Sequence, residues 1–254
     1  MRHGSTGERG GPGRCSVAGR VRSGGRRRHH VAGELATGLA RPTTHRLLTS
    51  LQVEGFLDRD RGTGLWLLGP ELYLLGAGSA SRYDVTDVAL PFVQRLAHIT
   101  GESAFFSARR GDETVCLLRE DGSFPIRSHV LYEGIRFPLG VASAGQAVLA
   151  HLSDAEIDAY LAGHDLADTY GPAHEEKEVR ERIQQTRRCG YSVNPGLLVA
   201  GSWGMGAVVF DRAENPAWAL SLTGVDHRFA PDRQPELGAL LLDAARQLTI
   251  AVRK

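Results

Sequence analysis

Apolar residues recur at helical spacing in several stretches of the chain and at strand spacing in others. Pro42 suits the first turn of a helix over residues 41–51, with Leu47, Leu48 and Leu51 on its inner side and Gly55 as a left-handed stop. A shorter helical pattern begins at Glu34-Leu35-Ala36 and breaks at Gly38, so two helices meet at a tight turn. Residues 56–60 and 65–68 read as strands around a turn at 61–64, and 70–75 as a helix closed by 76–79. A helix-turn-helix followed at once by a hairpin is a winged helix, with a domain boundary near residue 80. Beyond it, Val85, Val88, Ala89, Phe92, Leu96 and Ile99 keep three-to-four spacing up to Gly101. Strands follow at 103–108, 113–119 and 126–131, then a helix at 144–151. Ser153 and Glu156 form a capping box that opens another helix, and a charged helix over 175–189 ends at Gly190. Strands at 191–194, 206–210 and 218–223 precede a closing helix at 235–252, whose apolar stripe is Leu237, Leu240, Leu241, Ala244, Ala245 and Leu248. Helices interspersed with antiparallel strands make this second part an α+β domain around one sheet.

Composition changes the picture mainly at the N-terminus. The 254 residues are 42% hydrophobic and 23% charged with a net charge of +1, which is ordinary for a globular chain. Eight arginines against Glu8 make the first thirty residues +7, leaving the rest at −6. Those thirty residues also hold eight glycines and show no periodicity, so the expectation is a disordered basic tail. Such a tail is either an arm that touches phosphates or a solvated segment that binds nothing specific. Cys15, Cys116 and Cys189 stand far apart, which excludes a CxxC redox or zinc pair and argues against a disulfide framework. No apolar run reaches the roughly 20 residues of a membrane span. The N-terminus lacks the apolar segment of a secretory signal, so the expected location is the cytoplasm.

Candidate chemistry sits in three places. The helix beginning at Arg41 offers Thr43, Thr44, His45 and Arg46 in its first turns. Short hydrogen-bonding side chains and a guanidinium match the donors and acceptors of a major groove. Arg59 and Arg61, near the hairpin tip, are placed to meet phosphates. The small residues at 142–145 precede a helix; they either expose a helix N-terminus to an anion or simply let the helix pack closely on the sheet. Gly201-Ser202-Trp203-Gly204-Met205-Gly206 superficially resembles a nucleotide loop, but a strand follows it rather than a helix, so it reads as the entry to a β-hairpin. No GxSxG, HExxH or Walker A pattern is present, the histidines are scattered, and Cys116 falls in an apolar strand as a core thiol. Neither a catalytic residue, a metal site nor a cofactor is expected.

With these residues in view, the chain resembles the isocitrate lyase regulator (IclR) family of bacterial transcription factors from about Glu34 to the C-terminus. The strongest pieces are Gly38-Leu39-Ala40-Arg41-Pro42-Thr43-Thr44-His45-Arg46-Leu47-Leu48, Glu54-Gly55-Phe56-Leu57 and Leu68-Gly69-Pro70. In the second part they are Gly134-Ile135-Arg136-Phe137-Pro138-Leu139, Ala144-Gly145, Asn194-Pro195-Gly196, Val209-Phe210-Asp211 and Ala219-Leu220-Ser221-Leu222-Thr223-Gly224. The resemblance implies a winged helix-turn-helix over 34–69, a linker helix over 70–81 and a GAF-like effector-binding domain with an antiparallel sheet over 82–254, after a disordered tail at 1–33. It implies a dimer or dimer of dimers on a double-stranded DNA operator. It also implies a small organic acid held by Ser143, Ala144, Asn194, Trp203, Gly204, Ser221 and Thr223. Backbone N–H groups and hydroxyls can hold a carboxylate without a buried counter-charge, and Trp203 nearby points to an aromatic acid.

Two departures qualify the resemblance. Relatives carry a further aliphatic helix before the helix-turn-helix, where this chain has its Gly/Arg tail. Where acidic or Cys side chains can occur in relatives, this chain has Asn194 and Gly204. The expectation is therefore that residues 1–33 are not a normal regulator N-terminus: either the chain truly starts elsewhere, or its DNA-binding head is impaired. The leading reading is a ligand-responsive transcriptional regulator. The rivals are a small-molecule sensor with an impaired head and, further off, an enzyme of small organic acids.

Overall fold

The computed structural model describes residues 40–62, 64–80 and 85–253. The tail expected at 1–33 and the short helix expected from Glu34 lie outside the described residues. The chain divides into two compact units, one up to Arg82 and one from Tyr83.

The first unit begins with α1 (Arg41–Val53), whose Pro42 stands in the first turn. Its final turn closes on Glu54 and on Gly55 at φ +74°, a backbone conformation that costs glycine little. Strands β1 (Leu57–Arg59) and β2 (Trp66–Leu68) pair antiparallel, with Arg59 opposite Trp66. Helix α2 (Pro70–Ala80) follows, and runs on through the small residues expected to end it. The inner face of α1 is set differently from the sequence reading. Thr44 and Leu48 are buried, whereas Leu47 is 46% exposed. The Thr44 hydroxyl donates to the Ala40 carbonyl at 3.3 Å, which satisfies its one polar group and lets its methyl turn inward.

The second unit is a six-stranded sheet in the order β5-β4-β3-β8-β7-β6, antiparallel throughout. The strands are β3 (Ser103–Arg110), β4 (Glu113–Glu120), β5 (Arg136–Pro138), β6 (Ser192–Pro195), β7 (Ser202–Phe210) and β8 (Pro216–Val225). Strand alternation divides the core in two. Ala104, Phe106, Met205, Ala207, Leu220 and Leu222 face α3 (Val85–Thr100) and α8 (Gln234–Val252). Val208 and Ala219 face a second cluster built from α4 (Ser143–Ala150), α5 (Asp154–Gly163) and α7 (Glu176–Cys189). All eight residues of α4 are buried, as an apolar helix sealed between sheet and helices must be. The Ser153–Glu156 capping box is formed in both directions, and Gly190 ends α7 in the left-handed conformation at φ +83°.

Three sequence expectations are corrected here. No strand forms over 126–131; the edge beside β4 is taken by β5 instead. Leu131 drops into the small cluster of Phe105 and Cys116, and Ser128 bonds to Ser202, so this segment is pinned by side chains rather than by a ladder. Between α5 and α7 the chain adds α6 (Leu166–Tyr170) and a 3-10 turn over Pro172–His174, too short to show a period. Strands β7 and β8 are each longer than expected, β7 starting at Ser202 inside the glycine-rich stretch.

A candidate DNA-binding head and effector cavity

The head orders its polar groups around Trp66. The His45 ring meets Trp66 edge-on with centroids 6.2 Å apart, and the Arg59 guanidinium lies 5.5 Å from the same ring. Arg59 Nε also donates to the Gly64 carbonyl at 3.3 Å, which bends the side chain back over the hairpin tip. Asp60 closes that tip by accepting from the Gly62 N–H at 3.0 Å. The recognition helix and the wing are thus joined through one aromatic ring. His45, Arg46, Arg59 and Arg61 are exposed and Thr43 is half-buried. Thr44, expected on the same outward face, is buried and cannot reach a base edge. The Arg41 side chain lies outside the described residues.

A small cavity forms where α4 meets the sheet. Cross-strand pairing stacks two rows of residues on the α4 side. One row is Phe105, Ser221, Gly206 and Ser192; the other is Ser103, Thr223, Gly204 and Asn194. The two glycines let α4 descend onto the strands. A Cβ on Gly206 would lie 2.6 Å from the Ser143 carbonyl oxygen, and one on Gly204 would lie 3.0 Å from the Ser143 hydroxyl. Ser192 Oγ donates to that Ser143 carbonyl at 2.7 Å and fixes the first turn of α4. Ala142 caps the helix without a side-chain hydrogen bond.

A small cavity of about 20 Å³ remains, lined by Val130, Leu131, Ala142, Ser143, Asn194, Leu198, Ser202, Trp203, Gly204 and Thr223. That is room for about one water. The hydroxyls of Ser221 and Thr223 are buried and have no hydrogen-bond partner. Two orphan hydroxyls two residues apart on one strand are unusual, because each costs its desolvation. Of the seven residues that the resemblance implies, five line the cavity. Ser221, on β8, and Ala144, in the first turn of α4, are not among the lining residues.

Asn194 has a different task from the one implied. Its Nδ2 donates to the Val141 carbonyl at 2.8 Å and its Oδ1 accepts from the Leu197 N–H at 2.9 Å. It ties the loop before α4 to the turn after β6, and both ends of its amide are occupied. The lining residues Leu131, Leu198 and Ser202 were not singled out from the sequence; they come from loops and a strand end that carry no local signature. Cys116, pushed up to about 12 mainly by burial, is a core thiol beneath this region. Among the described residues no cluster of three metal-ligating side chains occurs, and no helix is long and apolar enough to cross a membrane.

A helix and hairpin of winged-head form, followed by a sheet domain with a small internal cavity, fit a DNA-binding regulator with a sensor domain. The comparisons give the family. The sequence pattern of the bacterial transcriptional regulator IclR C-terminal domain matches residues 77–250, and that of the IclR helix-turn-helix domain matches residues 35–61. The chain belongs to the IclR family of bacterial transcriptional regulators. It is 27% identical over 216 residues to the transcriptional repressor IclR of Escherichia coli K12, covering 84% of this chain and 79% of that one. Its fold is similar to a crystal structure of an IclR-type regulator from Silicibacter sp. TM1040, with TM-score 0.75, 22% identity and 85% of each chain covered. It is also similar to an IclR homologue from Microbacterium hydrocarbonoxydans solved with 4-hydroxybenzoate, with TM-score 0.71, 22% identity, and 85% of this chain and 88% of that one covered.

Proposed function

We propose that this regulator binds its operator through α1 and the β1–β2 wing, and that a small organic acid held between α4 and β8 modulates that affinity. The observation that carries the effector reading is the pair of buried, unpartnered hydroxyls of Ser221 and Thr223 beside the uncapped start of α4. A carboxylate placed there would accept hydrogen bonds from the Thr223 hydroxyl, which lines the cavity, and from the first N–H groups of the helix, which carries partial positive charge at that end, with the Ser221 hydroxyl two residues along β8. The 4-hydroxybenzoate bound by one fold relative supports an acid, and an aromatic one, as the ligand class. Arg46, Arg59, Arg61, Thr43 and His45 are the groups we assign to DNA, with Arg41 beside them at the start of the helix.

The enzyme reading is weaker. The cavity lining holds Ser143, Ser202 and Thr223 but no histidine, carboxylate, lysine or arginine that could take a proton from them. Self-association rests on α2, where Leu72, Tyr73, Leu74 and Leu75 are 40–78% exposed. Four consecutive exposed apolar residues of this size favour a second copy as their cover. The place of action is the cytoplasm, with the DNA.

The test is fluorescence anisotropy with DNA from the gene's own upstream region, at two salt concentrations and with and without a panel of acids. Tight, sequence-selective binding with a steep salt slope, shifted by one of the acids, is the expected result. Selective binding that no acid shifts would remove the effector role. Acid binding without selective DNA binding would leave a sensor with an impaired head.

A further inference from the structure

A buried base stands behind the helix-start wall of the inner cavity. His174 is 1% exposed. Its Nδ1 meets the Tyr170 carbonyl at 3.1 Å; a carbonyl only accepts, so Nδ1 carries the proton of the neutral ring and Nε2 carries the lone pair. Nε2 is buried and forms no hydrogen bond. The other backbone acceptor that favours a proton on this ring is the Val141 carbonyl, and with Nδ1 taken it is left to Nε2. That oxygen already accepts from Asn194 Nδ2 at 2.8 Å and from Gln146 Nε2 at 3.3 Å.

The Val141–Ala142 peptide therefore has two working sides. It is trans, so the Ala142 N–H points away from the Val141 oxygen. Ala142 lines the inner cavity, and its N–H has no acceptor among the described residues. An anion bonded to that N–H would push electron density onto the Val141 oxygen and make it a stronger acceptor on the far side.

The charges facing the ring decide its resting state. On α7, Arg182 opposes a proton. Its Nη1 donates to the Ala173 carbonyl at 2.8 Å, its Nε and Nη2 are buried and unbonded, and Glu178 is the acid that bears on it. Along the surface pocket that His174 shares stand His164 and Asp165 from the α5–α6 junction and Glu175 and Glu176 from the start of α7. Helix α4 carries no charged side chain. Burial and Arg182 together keep the ring neutral near pH 7 in the ligand-free protein.

We propose that His174 couples acid binding to proton uptake: as a carboxylate settles at the Ala142 N–H and the start of α4, Nε2 takes a proton from the buffer and donates it in a hydrogen bond to the Val141 carbonyl. This rests on the effector reading above and adds a regulation to that site. The liganded protein holds the proton at a higher pH than the free protein does, so an acid binds more tightly as the pH falls through that interval, and no proton is taken up well above it. The acid itself stays ionised there, because carboxyl groups titrate near about 4.

Isothermal titration calorimetry of the full chain with acetate, benzoate and 4-hydroxybenzoate tests this, at pH 8.0, 7.0 and 6.0 and in buffers of different ionisation enthalpy, which count the protons taken up. The best acid should bind the wild type about threefold or more tighter at pH 6.0 than at pH 8.0, with proton uptake at pH 6.0 and none at pH 8.0. His174→Gln should keep the pH 8.0 affinity within about twofold and lose both the pH dependence and the uptake. Arg182→Gln, which removes the opposing charge, should move the uptake to higher pH. A thermal melt on each variant reports folding. If the wild type takes up no proton, or folded His174→Gln keeps the uptake, the coupling is overturned while the effector reading stands. If His174→Gln does not fold, Arg182→Gln decides, and an uptake that stays at the wild-type pH overturns the coupling. If none of the acids binds the folded wild-type chain, both readings fall.

Discussion

The Asn194 side chain and the Val141 carbonyl meet at 2.8 Å across the wall of the inner cavity, and the same amide accepts from the Leu197 N–H. Asn194 sits opposite Gly204 on the neighbouring strand, so nothing on β7 crowds it away from these partners. It is 5% exposed; losing its amide leaves the half-buried Leu197 N–H unpaired and takes one of two donors from the buried Val141 carbonyl, the other being Gln146 Nε2 at 3.3 Å. Asn194→Ala should therefore cost about 1–3 kcal/mol of stability. Urea unfolding reads this directly. A change below a few tenths of a kcal/mol would mean that the two walls are held by other bonds.

Ser221 and Thr223 should behave in the opposite way. Each hydroxyl is buried without a partner, so an isosteric apolar replacement removes a desolvation cost rather than a bond. Ser221→Ala and Thr223→Val should leave the ligand-free protein as stable as before or more stable by up to about 1–3 kcal/mol. The same variants should weaken acid binding. A gain in stability with a loss of affinity is the signature of groups kept for a ligand. Destabilisation by both variants would make the hydroxyls structural.

Much of the architecture could be read in the sequence, because long elements repeat their period often enough to be unambiguous. Val88, Phe92, Leu96 and the stripe from Leu237 to Leu248 each mark several helical turns, and α3 and α8 fall where that spacing places them. The glycine stops at Gly55 and Gly190 were legible for a local reason, since both adopt positive φ. The face of α1 was not. Leu47, Leu48 and Leu51 give only one turn of signal, and a threonine can turn either its methyl or its hydroxyl inward, so burial of Thr44 could not be read. Residues 126–131 misled because Ile126, Val130 and Leu131 mimic a strand, while their partners Phe105, Cys116 and Ser202 are distant in sequence. The helix-start wall of the inner cavity could be anticipated from the small residues at 142–145, and its β6 and β8 walls only through family resemblance.

His174 gives the stability a pH dependence. The ring is buried at 1% exposure, with Nδ1 against the Tyr170 carbonyl at 3.1 Å. Burial, reinforced by the nearby Arg182 charge, holds it below the ordinary histidine value of 6.5. The unfolded chain thus takes up this proton at a higher pH than the folded chain does. Folding is unaffected by His174 well above 6.5, and stability is lost as pH falls below that value towards the lower folded one. Urea midpoints at pH 7.5, 6.5 and 5.5 should fall more steeply for the wild type than for His174→Gln. Parallel slopes would show that His174 titrates alike in both states.

The head separates four kinds of residue that DNA titration and a thermal melt distinguish. Arg61 is exposed near the wing tip, so Arg61→Ala should weaken all DNA sequences alike and reduce the salt slope by about 1. Arg46 projects from the exposed side of α1, so Arg46→Ala should cost about 1–3 kcal/mol on the operator and relax selectivity at one position. Trp66 touches His45 and Arg59 but is itself half-buried between them. Trp66→Leu removes the ring that orients the Arg59 guanidinium, so affinity should fall and Arg59→Ala should add little further loss in the double variant. Thr44→Ala should lower the melting temperature of the head while leaving the salt slope unchanged, because its side chain faces inward. Additive losses for Trp66→Leu and Arg59→Ala would show that the ring does not position the arginine, and a changed salt slope for Thr44→Ala would overturn the orientation of α1.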